Sequence, residues 1–236
     1  QRLRWDVLDA FAQAAQEAGV PATDDFNRGT NEGVGYFEVN QRDGWRWNTA
    51  KAFLRPALGR KNLTVITKAL VKRVRIEVKD GVKTATGVEF YRGNEELFAE
   101  SRRETILSAG SINDPQILQL SGVGPAALLK DRGVEVIHDL PGVGENLQDH
   151  LEFYFQVACR EPVTLYSVMN PFSKALIGLR WLLRRDGLGA TNHFETCGFI
   201  RSRAGIRYPD IEYHFLPMAV SYDGSSLASE HGFQAH

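Results

Sequence analysis

The sequence predicts a mixed fold, with an α/β region of nucleotide-binding type in mid-chain and an α+β lobe built on antiparallel strands after it. Three observations carry this expectation. A strand–helix–helix–strand succession with tight glycine turns runs from Glu104 to Gly144. Two alternating runs flank Asp80-Gly81, a strong hairpin signal. Beyond His150 the chain turns to short aromatic, strand-like runs around one prominent helix.

The first segment reads as a helix, because Leu8, Phe11, Ala12, Ala15 and Ala18 recur at helical spacing and Gly19 and Pro21 stop it. A polar, glycine-rich stretch from Thr23 to Gly44 reads as loop, with a short strand over 36–39. Trp45 to Ala50 leads into a short helix that breaks near Pro56 and Gly59. Leu63 to Thr67 reads as a strand. Val74, Ile76 and Val78 alternate with Arg73, Arg75 and Glu77, the period of a half-buried strand, and Gly87 to Tyr91 is its expected antiparallel partner.

Glu104 to Leu107 is an apolar strand running into Ser108-Ala109-Gly110-Ser111. Asp114-Pro115 is expected to open a helix, with Asp as N-cap and Pro at the first helical position, where its missing N–H costs nothing. Pro125 opens a second helix, Gly133 closes it, and Val134 to Ile137 is a further strand. In the last third, Leu151 to Ala158, Phe199-Ile200 and Ile211 to Phe215 are strand-like. Residues 172–185 form an amphipathic helix with Ala175, Leu176, Leu179, Leu182 and Leu183 on one face and Lys174, Arg180, Arg184 and Arg185 on the other.

Composition narrows the function. The 236 residues are 43% hydrophobic and 24% charged, with 28 basic against 29 acidic side chains and a net charge of -1. That balance argues against nucleic acid as the main partner. Cys159 and Cys197 form neither a Cys-x-x-Cys pair nor a zinc pattern, so two buried thiols in a reducing compartment and no metal site are expected. No apolar run reaches the ~18–20 residues that span a bilayer, and no secretory signal is visible. A first residue other than Met and an abrupt end at His236 lead us to expect an internal piece of a longer protein.

Residues 108–111 are small and stand between a strand and a helix N-terminus, where a ligand can approach the backbone closely and an anion can meet free N–H groups. Plain helix–strand packing is the alternative. The run from Gly110 to Gly124, GSINDPQILQLSGVG, resembles the second signature of the glucose–methanol–choline (GMC) oxidoreductases. Asp114 departs from the Ser or Thr usual before the proline; all three residues cap helices. Asp25-Phe26-Asn27, Trp47 to Ala50, Asn62 to Val65 and Leu140 to His150 are family-like in the right order. Past His150, the segments at 162–167, 189–195 and 209–217 resemble the choline dehydrogenases in particular.

The resemblance implies two interleaved, incomplete lobes: an FAD-binding domain, of which residues 61–150 are part, and an antiparallel-sheet substrate domain supplied by residues 1–60 and 151–236. It implies FAD as cofactor, with Val71 meeting the adenine through its backbone and Ala109 and Gly110 close to the FAD. Asn146 to His150 match a loop given a structural or FAD-proximal role. Glu152 matches the carboxylate that faces a trimethylammonium group; a solvent-facing strand Glu is the alternative. His214 matches a histidine that hydrogen-bonds the substrate hydroxyl oxygen; a core histidine is the alternative. His193 and Phe194 are weaker candidates for the same pocket, and Tyr36, Phe37, Trp45 and Trp47 are assigned to the core.

The implied activity is oxidation of choline, or a related quaternary-ammonium alcohol, to the aldehyde by hydride transfer to flavin. Electrons would pass to a membrane-linked acceptor, at the cytoplasmic side of a bacterial inner membrane or at the mitochondrial inner membrane. Another primary alcohol is the alternative substrate. The family's FAD fingerprint and its C-terminal catalytic histidine lie outside these residues, so the piece alone is expected to be catalytically silent.

Overall fold

The structure is a computed structural model that describes residues 3–221, 226 and 228–236. These residues form two compact units, residues 1–57 with 151–236 and residues 58–150.

The first unit begins with helix α1 (Asp6–Glu17), whose Leu8 is fully buried. Gly19, at φ 95°, ends it. Its N–H donates to the Gln16 carbonyl and that of Val20 to Ala15, the paired bonds of a Schellman motif. Strand β1 follows at Gly33–Tyr36, three residues before the predicted 36–39. The chain at Pro21–Thr23 crosses β1 so closely that a Cβ on Gly33 would stand 2.8 Å from the Pro21 carbonyl oxygen. Glycine therefore decides where this strand can sit, a constraint that side-chain alternation does not report. A two-rung ladder (Gln41–Arg42 with Trp45–Arg46) and a π-helical turn (Ala50–Leu54) running into Arg55–Ala57 complete this part.

The second unit opens with an antiparallel meander of β2 (Ala69–Lys79), β3 (Val82–Arg92) and β4 (Glu95–Glu100). Asp80 and Gly81 both have positive φ, as a two-residue hairpin turn requires. Lys72 is an extra residue in β2 between the rungs Val71↔Phe90 and Arg73↔Glu89, a bulge that bends the strand. Glu89, 4% exposed, accepts from Arg73 Nε at 2.6 Å and Arg75 Nε at 2.9 Å, tying the strands together.

Helix α2 (Gly110–Leu120) packs against β2, where Ser121 Oγ, just past its end, accepts the Val74 N–H at 2.8 Å. Strands β5 (Val123–Gly124) and β6 (His138–Asp139) pair in parallel across helix α3 (Ala126–Asp131), a minimal β–α–β unit.

Four expectations for this unit change. Residues 63–67 and 104–107 carry no regular secondary structure and pair with no strand among the described residues, because an apolar run becomes a ladder only where a neighbour lies beside it. The strand expected at 134–137 is the two residues 138–139, where the parallel partner ends. Helix α2 begins at Gly110, not at Asp114-Pro115. Asp114 reaches back to accept the Ala109 N–H at 2.8 Å, so it ties down the helix start from inside, and Pro115 lies within the helix.

Back in the first unit, β7 (Phe155–Ala158) precedes helix α4 (Pro171–Arg184), β8 (Thr196–Ile200), β9 (Ile211–Leu216) and β10 (Gly232–Ala235). With β1 these strands make one antiparallel sheet in the order β1-β8-β9-β10-β7. Helix α1 packs on β1 and β8, stacking Phe11 on Phe215 of β9 with centroids 4.5 Å apart. The core lies between helix and sheet; the opposite sheet face carries the polar residues described below.

Helix α4 starts as its sequence demands: the Asn170 side chain accepts the Ser173 N–H at 2.9 Å, and Pro171 takes the first position. Its apolar face is not covered. No residue of α4 is buried, and Phe172 and Leu183 are 74% and 73% exposed. Helical periodicity tells which residues share a face, not what lies against it. Trp45 and Trp47 are likewise outside the core: Trp45 packs edge-on against Trp181 of α4, and both Trp45 and Trp47 line an open cavity. Cys197 is fully buried and Cys159 half-buried, both as free thiols. No helix of the described residues is long and apolar enough to cross a membrane.

Candidate active site

The polar face of the five-stranded sheet builds one cavity of about 350 Å³, lined by Phe37, Glu152, Asn192, Phe194, His214 and His236. Every one of these residues belongs to the first unit. His214 is the fourth residue of β9. Its alternation with Phe215 sends Phe215 to the core and His214 to the cavity. His236 lies just past β10 and pairs with His214 through reciprocal backbone hydrogen bonds of 3.2 and 2.9 Å. Glu152 stands three residues before β7, in a segment outside the strand, and places Oε1 2.6 Å from His236 Nδ1.

Aromatic rings close the sides. The Phe37 ring centroid is 5.4 Å from that of His214, and Phe194 stands edge-on to His214 at 6.0 Å. Tyr154 packs near His236 at 5.7 Å. Glu212 Oε1 lies 3.1 Å from His214 Nε2. One carboxylate, two imidazoles, two phenyl rings and the Asn192 amide thus line one small volume, with Glu212 beside His214. A carboxylate and ring faces can receive positive charge, and an imidazole nitrogen can exchange a hydrogen bond with an oxygen.

Glu152 and His214, named from the sequence, therefore line the same cavity. Phe194 joins them, and so does Phe37, which the sequence had assigned to the core. His193 is not among the lining residues; it has φ 67° and burial lowers its pKa. Phe153 and Phe155 turn away from Glu152, pack on each other at 5.5 Å and are exposed. His236 was missed. Its only sequence signal is the alternation His236, Gln234, Gly232, which is too short to reveal a partner strand.

Glu195, just before β8, is buried with Oε1 unpaired, and burial pushes its carboxyl up to about 7. A wider cavity of about 840 Å³ shares Asn192 and is lined by Trp45, Trp47, Asn48 and Trp181 among others, without a carboxylate.

The residues assigned to FAD lie in the second unit. Ala109 and Gly110 are exposed at the start of α2. Gly110 has φ 93°, and no atom stands within 4 Å of where its Cβ would be. Val71 directly precedes the β2 bulge, where a ladder leaves backbone groups unpaired.

Residues 5–152 match the GMC oxidoreductase family. Over 230 residues, 98% of this chain, the sequence is 52% identical to the oxygen-dependent choline dehydrogenases of Brucella anthropi and Photobacterium profundum. The chain spans 41% and 40% of those curated relatives. Among solved structures, a formate oxidase superposes with TM-score 0.83 at 21% identity, over 99% of this chain and 45% of that one, a likeness of fold alone. Pyridoxine 4-oxidase from Mesorbium loti superposes with TM-score 0.74 at 26% identity, over 98% of this chain and 41% of that one. On the match over 5–152, this chain belongs to the GMC oxidoreductase family.

Proposed function

We propose that the protein containing this chain oxidises choline to betaine aldehyde with FAD as the hydride acceptor, and that this chain supplies the cation and hydroxyl contacts. The observation that carries the reading is the shared cavity of Glu152, His214, Phe37 and Phe194. It is supported by the 52% identity to proteins described as choline dehydrogenases.

A quaternary ammonium has no N–H to donate, so it is held by charge and by ring faces. Glu152 supplies the charge, and Phe37 and Phe194 supply the faces. His214 meets the alcohol oxygen and stabilises the negative charge that grows there as the hydroxyl proton leaves. We leave the acceptor of that proton to a histidine outside these residues, as the family resemblance implies.

We assign FAD to residues 61–150, with residues 1–60 and 151–236 forming the substrate side. The open space over Gly110 and the small side chain of Ala109 suit a close approach of a cofactor to the backbone. The bulge beside Val71 suits a base held by main-chain groups. Bound FAD would supply the two-electron acceptor for hydride leaving the alcohol carbon. The relatives' description as oxygen-dependent makes molecular oxygen the first electron acceptor to test, with a membrane-linked carrier second.

The test is Glu152→Gln in the full-length enzyme, with choline compared against its uncharged isostere 3,3-dimethylbutan-1-ol. We expect KM for choline to rise about tenfold or more, the scale of one lost charge contact, and KM for the isostere to stay unchanged. An unchanged choline KM removes the cation-site assignment. Equal kcat/KM for the two alcohols in the wild-type enzyme makes another primary alcohol the substrate.

A further inference from the structure

Glu152 is held by a hydrogen-bond chain that begins at a buried side chain on the cavity face of the sheet. Gln234, 1% exposed, accepts at Oε1 from the Val220 N–H at 2.9 Å and from Gln156 Nε2 at 3.0 Å. A backbone N–H can only donate, so the Gln234 atom facing Val220 must be the oxygen. The amide nitrogen then points the other way, to His236 Nε2 at 2.6 Å. An amide nitrogen also only donates, so His236 Nε2 must offer its lone pair. The imidazole proton is thereby left on Nδ1, which faces Glu152 Oε1 at 2.6 Å.

We infer that His236 is a positioning residue, locked by Gln234 as the neutral Nδ1–H tautomer, and that it orients Glu152 while leaving that carboxylate its full negative charge. This rests on the proposed cation site and deepens it. An imidazolium at the same place would also hold Glu152, but it would cancel the charge a quaternary ammonium needs. The direction of the Gln234 amide makes the difference: a second proton on His236 would point Nε2–H at an N–H donor.

The order of the strands permits the chain. Gln156, Gln234 and His236 project from one face, since Gln156 and Gln234 are directly opposed and His236 is two residues beyond Gln234. Glu212, the second carboxylate near the cavity, sits beside His214 and not His236. The groups around the His236 ring include Tyr154, Phe194, Glu152 and Gln234, and Asn192, His214 and Phe37 line the same cavity.

Three variants of the full-length enzyme test this, each with choline and 3,3-dimethylbutan-1-ol. His236→Ala is expected to raise the choline KM about tenfold, the scale of one charge-assisted hydrogen bond, and the isostere KM much less, so that the preference for choline falls. His236→Asn, whose amide nitrogen stands near the place of Nδ1, is expected to recover most of the loss. Gln234→Glu puts a carboxylate against Nε2, draws a second proton onto the ring and is expected to lower choline preference without touching His236 or Glu152.

A readout independent of turnover is the nitrogen NMR spectrum of the histidine ring in the wild-type enzyme, assigned through loss of its signals in His236→Asn. It should show a protonated Nδ1 and a bare Nε2. An Nε2–H tautomer or an imidazolium at neutral pH overturns the inference, whatever the variants do. So does a His236→Ala enzyme with unchanged choline preference, or one that loses both alcohols equally. A wild-type enzyme indifferent to the charge of its alcohol would instead refute the choline reading, and the ring spectrum would still decide the tautomer.

Discussion

His214 and His236 stand opposite one another on neighbouring antiparallel strands, each donating its backbone N–H to the other's carbonyl. Directly opposed residues share a face of the sheet. This single register brings the imidazole next to the proposed hydroxyl site and the imidazole next to Glu152 into one cavity. A slip of one residue between these strands would leave one ring on the cavity face and turn the other into the α1-facing core.

His214→Gln should act on the chemical step. Gln keeps a polar group at the alcohol oxygen but loses the imidazole that meets the growing charge. We expect kcat in the full-length enzyme to fall on the order of 100-fold, with choline KM changed much less than by Glu152→Gln. Steady-state kinetics with choline check this.

Glu195 makes stability depend on pH near neutrality. Burial raises its carboxyl from 4.5 to about 7. Below 4.5 the carboxyl is protonated folded or unfolded, so it costs nothing. Between 4.5 and about 7 the unfolded state loses its proton first, and a penalty builds up. Above 7 it is complete, on the order of 3 kcal/mol. Glu195→Gln should therefore raise the melting temperature at pH 8 and leave it unchanged at pH 4, measured by thermal melts of the full-length protein.

Glu89 has the opposite sign. Hydrogen bonds from Arg73, and then Arg75, hold its pKa below the ordinary 4.5. Its stabilisation is present above 4.5 and is lost as the pH falls through the lowered value. Glu89→Gln should destabilise the β2–β3 hairpin by about 1–3 kcal/mol at pH 7, with little effect in acid. Amide hydrogen exchange across Ala69–Arg92 at the two pH values reads the difference.

Leu8 anchors α1 to the sheet. It is fully buried, and its helix carries Phe11 onto Phe215, whose neighbour His214 faces the cavity. Leu8→Ala should cost about 2–5 kcal/mol. It should also raise the choline KM modestly, since the strand that carries His214 loses part of its backing. Denaturant melts and steady-state kinetics measure the two effects.

Much of this was legible in the residues themselves. Local chemistry set α1, the Asp80-Gly81 hairpin and the start of α4, because a capping side chain, a positive-φ turn or a helical stripe acts within a few residues. The GMC resemblance was legible for the same reason: it rests on contiguous runs such as Gly110 to Gly124, and it led to Glu152 and His214.

The tertiary structure alone decided what depends on distant partners. Residues 63–67 and 104–107 have strand-like sequences, yet no ladder forms without a neighbour. The leucine face of α4 is amphipathic, yet nothing among the described residues covers it. Phe37, Phe194 and His236 reach one cavity because β1, β8, β9, β10 and β7 pair in an order that chain sequence does not follow. Alternation along a strand fixes which side chains share a face; only the pairing of strands far apart in sequence fixes which faces meet.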